Sequence, residues 1–213
     1  MALIVQKYGG TSLGSLDEVM ACARRVAATR ARGDQVVVVV SAMGGMTDDL
    51  LKQAATLSGL IPARERDLLM ASGEQVAASL MALALAGLGF EAHALTGAQA
   101  GFLTDDTHGR ARITSIRTAR LRHELESDAI PVVMGFQGIS KDGELTTFGR
   151  GGSDTTAVAL AAALDVVSTG GFCEINTDVE GIHTADPRLV PGAPLLDQIS
   201  YEEMLELALH GAR

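Results

Sequence analysis

The sequence has no tryptophan, two tyrosines and five phenylalanines, so aromatics make up 3% of 213 residues. A base-stacking nucleic-acid platform needs exposed rings, and this composition argues against one. Alanine, valine and leucine must fill the core, which suits tightly packed helix–sheet layers. Basic residues are also in short supply. Seventeen Lys and Arg face 26 Asp and Glu, giving a net charge of −9. No basic stripe is present, so no nucleic-acid partner is expected. An anionic small substrate needs only a few cations, placed locally against the sign of the whole. The two cysteines, Cys22 and Cys173, form no CxxC pair, and the five histidines (93, 108, 123, 183, 210) show no HxxxH spacing. A structural zinc site is not expected, and the thiols read as free and cytosolic. The N-terminus MALIVQKYGG does not read as a signal peptide. The run VAASLMALALAGL reads as too short, and too helically periodic beside Glu74 and Gln75, to span a membrane. A soluble, cytoplasmic chain without a membrane partner is expected.

What is present is an alternation of strand and helix patterns. Ala2–Tyr8 and Gln35–Ser41 are apolar runs rich in Val and Ile. VVVVV lacks polar alternation, which fits a strand buried on both faces of a parallel sheet. Leu16–Arg32 between them reads as a helix, with Ser15 and Glu18 as a capping box and Gly33 beyond its end. A loop AMGGMTDD leads to a helix ending near Ser58. Pro62 opens another helix, expected to break near Ser72-Gly73 and resume to Leu85. Glu91–Leu95 and Pro131–Gly135 read as strands, Gly101–Arg112 as polar and turn-rich, and Ile116–Glu126 as a helix. Ile139–Phe148 carries the hairpin dipeptide Asp142-Gly143. Asp154–Leu164 reads as a helix, Cys173–Thr177 as a strand and Ser200–Leu209 as a helix capped by Ser200. The expected class is α/β: a three-layer αβα sandwich with a mainly parallel central sheet, in one domain over 1–213.

Three glycine-rich loops precede helices: Gly9–Gly14, Ala42–Thr47 and Gly149–Asp154. Glycine lets backbone N–H groups approach an anion, and a helix N-terminus adds partial positive charge. Loops at the carboxyl ends of parallel strands are where such sheets bind ligands. Any one loop reads equally well as a tight turn. Three together, two with a cation, favour a phosphate site. Neither the P-loop nor the GxGxxG pattern occurs. Lys7, at the end of a buried strand, reads as a cation for a transferring phosphoryl group or as a solvated strand-end lysine. Arg150 lies between glycines, and its planar fork suits a carboxylate or phosphate. Asp154 reads equally as a helix cap or as a site carboxylate.

The segments KYGGTSLGS (7–15), VVVVVSAMGGMTDDL (36–50), SGEQ (72–75), TTFGRGGSDTTAVALAAAL (146–164) and TDVEGIHTADPRLVP (177–191) closely resemble the signature segments of bacterial aspartokinases, in the same order. KxGGTS with GRGGSD is a specific combination; either alone indicates only the wider amino-acid kinase fold. The resemblance implies ATP with Mg²⁺, L-aspartate as acceptor and a homo-oligomer in the full-length protein. It casts Lys7 as the lysine on the transferring phosphate, supported by Gly9, Gly10 and Ser12. Ser41 and Thr47 match residues near the phosphates and the aspartate. Glu74 matches the carboxylate that holds the α-amino group, and Arg150 the arginine on a substrate carboxylate. Ser153 and Asp154 match residues lining the reaction centre. Thr177, Asp178 and Arg188 match nucleotide contacts. No metal-ligating protein residue is assigned.

Several positions depart from the family pattern. Asn176 and His183 stand where tyrosines are usual, so His183 is expected near the adenine with less stacking area. The stretch 165–172 reads as an expanded loop, and Phe148 replaces a common leucine. The resemblance also implies a further helix, strands, an ATP-binding lysine and two ACT-type modules after GAR, so the domain is expected to be C-terminally incomplete. Two other readings stay open. One is a different kinase of the same fold, acting on acetylglutamate, glutamate, carbamate or UMP. The other is a nucleotide-binding fragment without turnover.

Overall fold

The computed structural model describes residues 1–209. The chain divides into two compact units, Met1–Asn176 and Thr177–Arg213.

The first unit is built on a parallel five-stranded sheet, formed by β1 (Leu3–Tyr8), β2 (Gln35–Val40), β3 (Ala92–Leu95), β6 (Ile130–Met134) and β9 (Cys173–Asn176), in the order β3-β6-β2-β1-β9. The valine run of β2 shows why alternation is missing. Val36, Val38 and Val40 enter one apolar layer with Val19, Ala23 and Val26 of α1 (Leu16–Ala31) and Ala77, Ala78 and Met81 of α3 (Ala63–Gly87). Val37 and Val39 enter the opposite layer with Leu121 of α4 (Ala119–Glu126) and Ala157 and Leu160 of α5 (Gly152–Leu164). Both faces are covered, so every position along the strand is apolar. The expected αβα sandwich is what the first unit forms.

α1 begins as its sequence predicts. The Ser15 hydroxyl accepts from Glu18 N at 3.3 Å, and Gly33 follows the helix at φ +91°. α2 (Met46–Leu57) packs on α3. α3 runs unbroken through Ser72-Gly73, contrary to expectation. Gly73 serves close packing there, because a Cβ at this position would lie 2.8 Å from Ala42 Cβ. At 25 residues α3 is long and apolar enough to cross a membrane, against the reading from its shorter apolar run. Here it lies against the sheet and α1, with Asp67 and Glu74 buried on its inner face.

A second, four-stranded sheet was not foreseen. β4 (Phe102–Thr104) lies inside the stretch read as turns, and β5 (Ile113–Ile116) displaces the start of α4 to Ala119. β7 (Gln137–Ser140) and β8 (Leu145–Thr147) form the expected hairpin about Gly143, and the order is β5-β4-β7-β8. The missed strands are three and four residues long, and Thr104 and Ser115 interrupt their apolar pattern. The segment 165–172 contains a 3₁₀ turn, Val166–Thr169, that folds back on β1: Leu3 N donates to Thr169 Oγ1 at 2.9 Å and Val5 N to Phe172 O at 3.0 Å.

The second unit contains α6 (Tyr201–Leu209). Its capping box forms: Glu203 N donates to Ser200 Oγ at 3.2 Å and Ser200 N to Glu203 Oε2 at 3.0 Å.

Candidate active site

Strands β1, β2 and β6 run parallel and end together, so the loops that follow share one edge of the sheet. This is the carboxyl edge, where backbone amides and helix N-termini converge. The loops after β1 and β2 pack closely: a Cβ on Gly10 would lie 2.7 Å from Ala42 O, so only glycine fits. Ser12, half-buried, closes the first loop through its N–H to Gly9 O at 3.1 Å, and its carbonyl accepts from Cys22 Sγ at 3.2 Å.

Strand alternation decides where Lys7 points. Gln6 and Tyr8 face α1, where Gln6 Nε2 donates to Thr29 Oγ1 at 3.1 Å. Lys7 lies on the opposite face, with Val5, towards α5. Its ammonium lies 2.7 Å from Asp154 Oδ1. The contact is an ion pair without the alignment of a hydrogen bond, since Oδ1 is buried with no aligned donor. Lys7 is only 9% exposed, whereas the Asp154 side chain is half exposed. Asp154 is not the helix cap. Gly151, at φ +70°, occupies that position and Asp154 sits in the first turn. Its carboxylate therefore engages the lysine and reaches the open edge.

A second polar group faces the same edge from α3. Glu74 is 4% exposed, its Oε1 accepts from Ala42 N at 3.0 Å, and its Oε2 is buried with no partner among the described residues. Burial pushes its carboxyl up to about 7, against the smaller opposing effect of the Ala42 hydrogen bond. A buried carboxylate with one oxygen unanswered favours a cation that brings its own N–H donors. Ser41 follows β2 directly and donates its N–H to Tyr8 O at 3.1 Å. Thr47 is half-buried in the first turn of α2. Ser153 is buried under Gly135, where an added Cβ would lie 2.8 Å from it. Arg150 is exposed between Gly149 and Gly151, and makes no ion pair among the described residues.

The structure thus brings Lys7, Gly9, Gly10, Ser12, Ser41, Thr47, Glu74, Ser153 and Asp154 to one edge, with Arg150 in the loop that leads into α5. The other predicted residues belong to the second unit. Thr177 Oγ1 donates to Asp178 Oδ1 at 3.2 Å. His183 Nδ1 donates to Ala193 O at 2.8 Å. Arg188 is paired with Asp186 at 2.6 Å, which raises its pKa.

Two features at the edge escaped the sequence. Phe136 sits at φ +70°, unusual for a bulky residue, between β6 and β7. Its N–H donates to Thr156 Oγ1 at 3.0 Å and its carbonyl accepts from Phe148 N at 2.9 Å. Asn176, at the end of β9, buries an Nδ2 with no partner among the described residues. Nothing in the dipeptide Gly135-Phe136 signals a left-handed phenylalanine. The loss of an expected tyrosine at 176 was visible, but the buried amide was not.

The profile of the amino acid kinase family matches residues 2–213. The chain belongs to the amino acid kinase family. Within it, the chain is 51% identical over 214 residues to an aspartokinase of Corynebacterium glutamicum and 53% identical over 212 residues to aspartokinase 2 of Bacillus subtilis. Both alignments cover the whole chain, which spans 50% and 51% of those two relatives. The crystal structure of aspartate kinase from Synechocystis superposes with a TM-score of 0.85 at 49% identity, covering 99% of this chain and 34% of that one. The E. coli aspartokinase III complex with aspartate and ADP gives 0.82 at 26% identity, covering 97% and 56%. The amino acid kinase fold read from KxGGTS and GRGGSD is therefore the fold observed.

Proposed function

We propose that this chain carries the catalytic chemistry of an aspartate kinase. It transfers the γ-phosphoryl group of ATP to the β-carboxylate of L-aspartate. The products are 4-phospho-L-aspartate and ADP, and the reaction is the entry step toward lysine, threonine and methionine. The observation that carries the reading is the buried Glu74 with its open Oε2, on the same sheet edge as the Lys7–Asp154 pair. An α-ammonium answers the Glu74 carboxylate, and Arg150 offers a fork for a carboxylate of the same substrate. The ADP and aspartate in the E. coli aspartokinase III structure support it.

The chemistry needs little acid–base help. A β-carboxylate has an unperturbed pKa near 3.9 and is ionised at neutral pH. One of its oxygens attacks the γ-phosphorus, and the bond from phosphorus to the β,γ-bridging oxygen breaks with its electrons leaving on ADP. No proton has to move. The obstacle is repulsion between a carboxylate and a triphosphate, so positioning and charge neutralisation dominate. Lys7 places a cation on the transferring group, and loop N–H groups at Gly9, Gly10 and Ser12 add fixed dipoles. Asp154 orients the Lys7 ammonium rather than acting as a base.

No cluster of three or more metal-ligating side chains occurs among the described residues. We place Mg²⁺ with the nucleotide, where the half-exposed Asp154 beside Lys7 would help to hold it. When bound, the ion neutralises phosphate charge. Thr177, Asp178, His183 and Arg188 are proposed to serve the nucleotide.

A hydroxylamine trap for acyl phosphate tests the assignment across aspartate, glutamate and N-acetylglutamate. Aspartate-dependent hydroxamate with matching ADP release is expected. Signal with another acid and none with aspartate refutes the substrate. Nucleotide binding without any acceptor-stimulated ADP release refutes turnover by this chain.

A further inference from the structure

Asp67 is a buried carboxylate that the mechanism does not use. It is fully buried on α3, and four donors converge on it. Its Oδ2 accepts from His108 Nδ1 at 2.9 Å, Gly109 N at 2.9 Å and Thr147 N at 3.1 Å. Its Oδ1 accepts from Thr147 Oγ1 at 2.7 Å. Three separate segments meet on one side chain: α3, the 105–112 loop and the end of β8.

The positions of these contacts give them meaning. Asp67 and Glu74 are seven residues apart on one helix, hence on the same face and about 10 Å apart along the axis. Thr147 lies three residues before Arg150 in the chain. The loop supplies a second strut: Ala111 N donates to Thr147 O at 2.8 Å, and a Cβ on Gly149 would lie 3.3 Å from Gly109 O. So the loop held by Asp67 braces the residue next to Arg150. Arg150 makes no ion pair among the described residues, so its backbone is placed by this loop on one side and by the first turn of α5, where Gly152 N donates to Gly149 O at 3.1 Å, on the other.

We infer that Asp67 is a positioning residue that sets the span between Glu74 and Arg150, and so the length of the amino-acid acceptor the site takes. The inference rests on the proposed roles of Glu74 and Arg150. The acceptor is clamped at its ammonium and at a carboxylate, and a misplacement of about 1 Å in such a clamp is felt strongly in turnover. The Lys7 side of the site lies outside this network.

The test uses Asp67→Leu and Asp67→Asn in the intact chain. Leucine is larger than aspartate and apolar, so it fills the site and leaves the donors unanswered. Asparagine can turn its amide oxygen to the three donors on the Oδ2 side and its NH₂ to Thr147 Oγ1, so it should rescue. For Asp67→Leu, the KM for aspartate should rise at least tenfold with the KM for ATP within twofold. For Asp67→Asn, both should stay within about threefold of wild type. Amide hydrogen exchange, read without substrate, should quicken at 147–151 and 105–112 in Asp67→Leu alone. Should Asp67→Leu fail to fold, His108→Ala, at a half-buried position, should give the same pattern with smaller size. An unchanged KM for aspartate, or equal rises for both substrates, overturns the inference. So does unchanged exchange at 147–151. If the wild-type chain has no aspartate turnover, the proposed function fails instead, and the exchange result still decides whether Asp67 anchors the Arg150 loop.

Discussion

Removing the charge of Glu74 should make this protein more stable and less able to hold its substrate. The perturbation is Glu74→Gln, nearly the same shape. Burial raises the Glu74 carboxyl from its ordinary 4.5 to about 7. At about 1.4 kcal/mol per pH unit, ionising it in the folded state at pH 8 costs about 3 kcal/mol relative to the unfolded chain. Glutamine avoids that term. Its amide oxygen can keep the bond from Ala42 N, but its NH₂ replaces the unpartnered oxygen and remains unanswered, at about 1 kcal/mol. The net gain at pH 8 is about 2 kcal/mol, or roughly 4–8 °C in Tm for a chain of this size. The sign follows from proton counting. A carboxyl with a raised folded-state pKa binds more protons folded than unfolded between 4.5 and about 7, so wild-type stability falls as pH rises through that window. Below pH 4.5 the wild-type side chain is neutral in both states and the advantage of glutamine vanishes. Urea unfolding at pH 8 and pH 4.5, beside aspartate titration calorimetry, reads both effects. A stability gain equal at the two pH values, or none at pH 8, refutes the reasoning. So does aspartate affinity equal to wild type.

Three further outcomes are expected. Lys7→Met should lower kcat by about 10²–10³ with folding intact, as for loss of one group that stabilises developing charge; Asp154→Asn should lower it less, and full turnover in that variant would remove its orienting role. Gly73→Ala should destabilise by about 1–3 kcal/mol by overpacking against Ala42 Cβ, and should raise the aspartate KM because Ala42 N holds Glu74; denaturant midpoints and initial rates check both. Ser15→Ala should lose about 1 kcal/mol through the α1 cap without changing either KM.

Much of the parallel sheet was legible because its signals are local. The valine run, the Ser15 cap and the Asp142-Gly143 turn each constrain a few neighbours, and all three formed, though the Glu18 carboxylate accepts from the Ser15 hydroxyl at 3.1 Å in place of closing the box on its backbone. The second sheet was not legible, since β4 and β5 are short and pair across distant segments. The helix break expected at Ser72-Gly73 came from reading glycine as a breaker, when its use is to admit Ala42 from another element. At the site, residue types pointed to Lys7 and Arg150 one at a time, and Glu74 came only with the family resemblance. Only the fold shows that Lys7 meets Asp154, that Glu74 keeps an oxygen unpaired, and that Asp154 leaves capping to Gly151. The Asp67 network had no sequence signal, because its four donors come from two places, 108–109 and 147, both far from Asp67 in the chain.

The passage from β6 to β7 has a consequence for how this scaffold can diversify. Only two residues, Gly135 and Phe136, separate β6 of the five-stranded sheet from β7 of the four-stranded one. Lys7, proposed to face the nucleotide, belongs to the first sheet, and Arg150, proposed to face the acceptor, follows the last strand of the second. Two residues, one at a left-handed φ, thus form the shortest passage from the sheet that carries Lys7 to the sheet that leads to Arg150. Drift in β4, β5, β7 or β8 would therefore act first on the Arg150 side of the site, and reach Lys7 only through Asp154 in the first turn of α5.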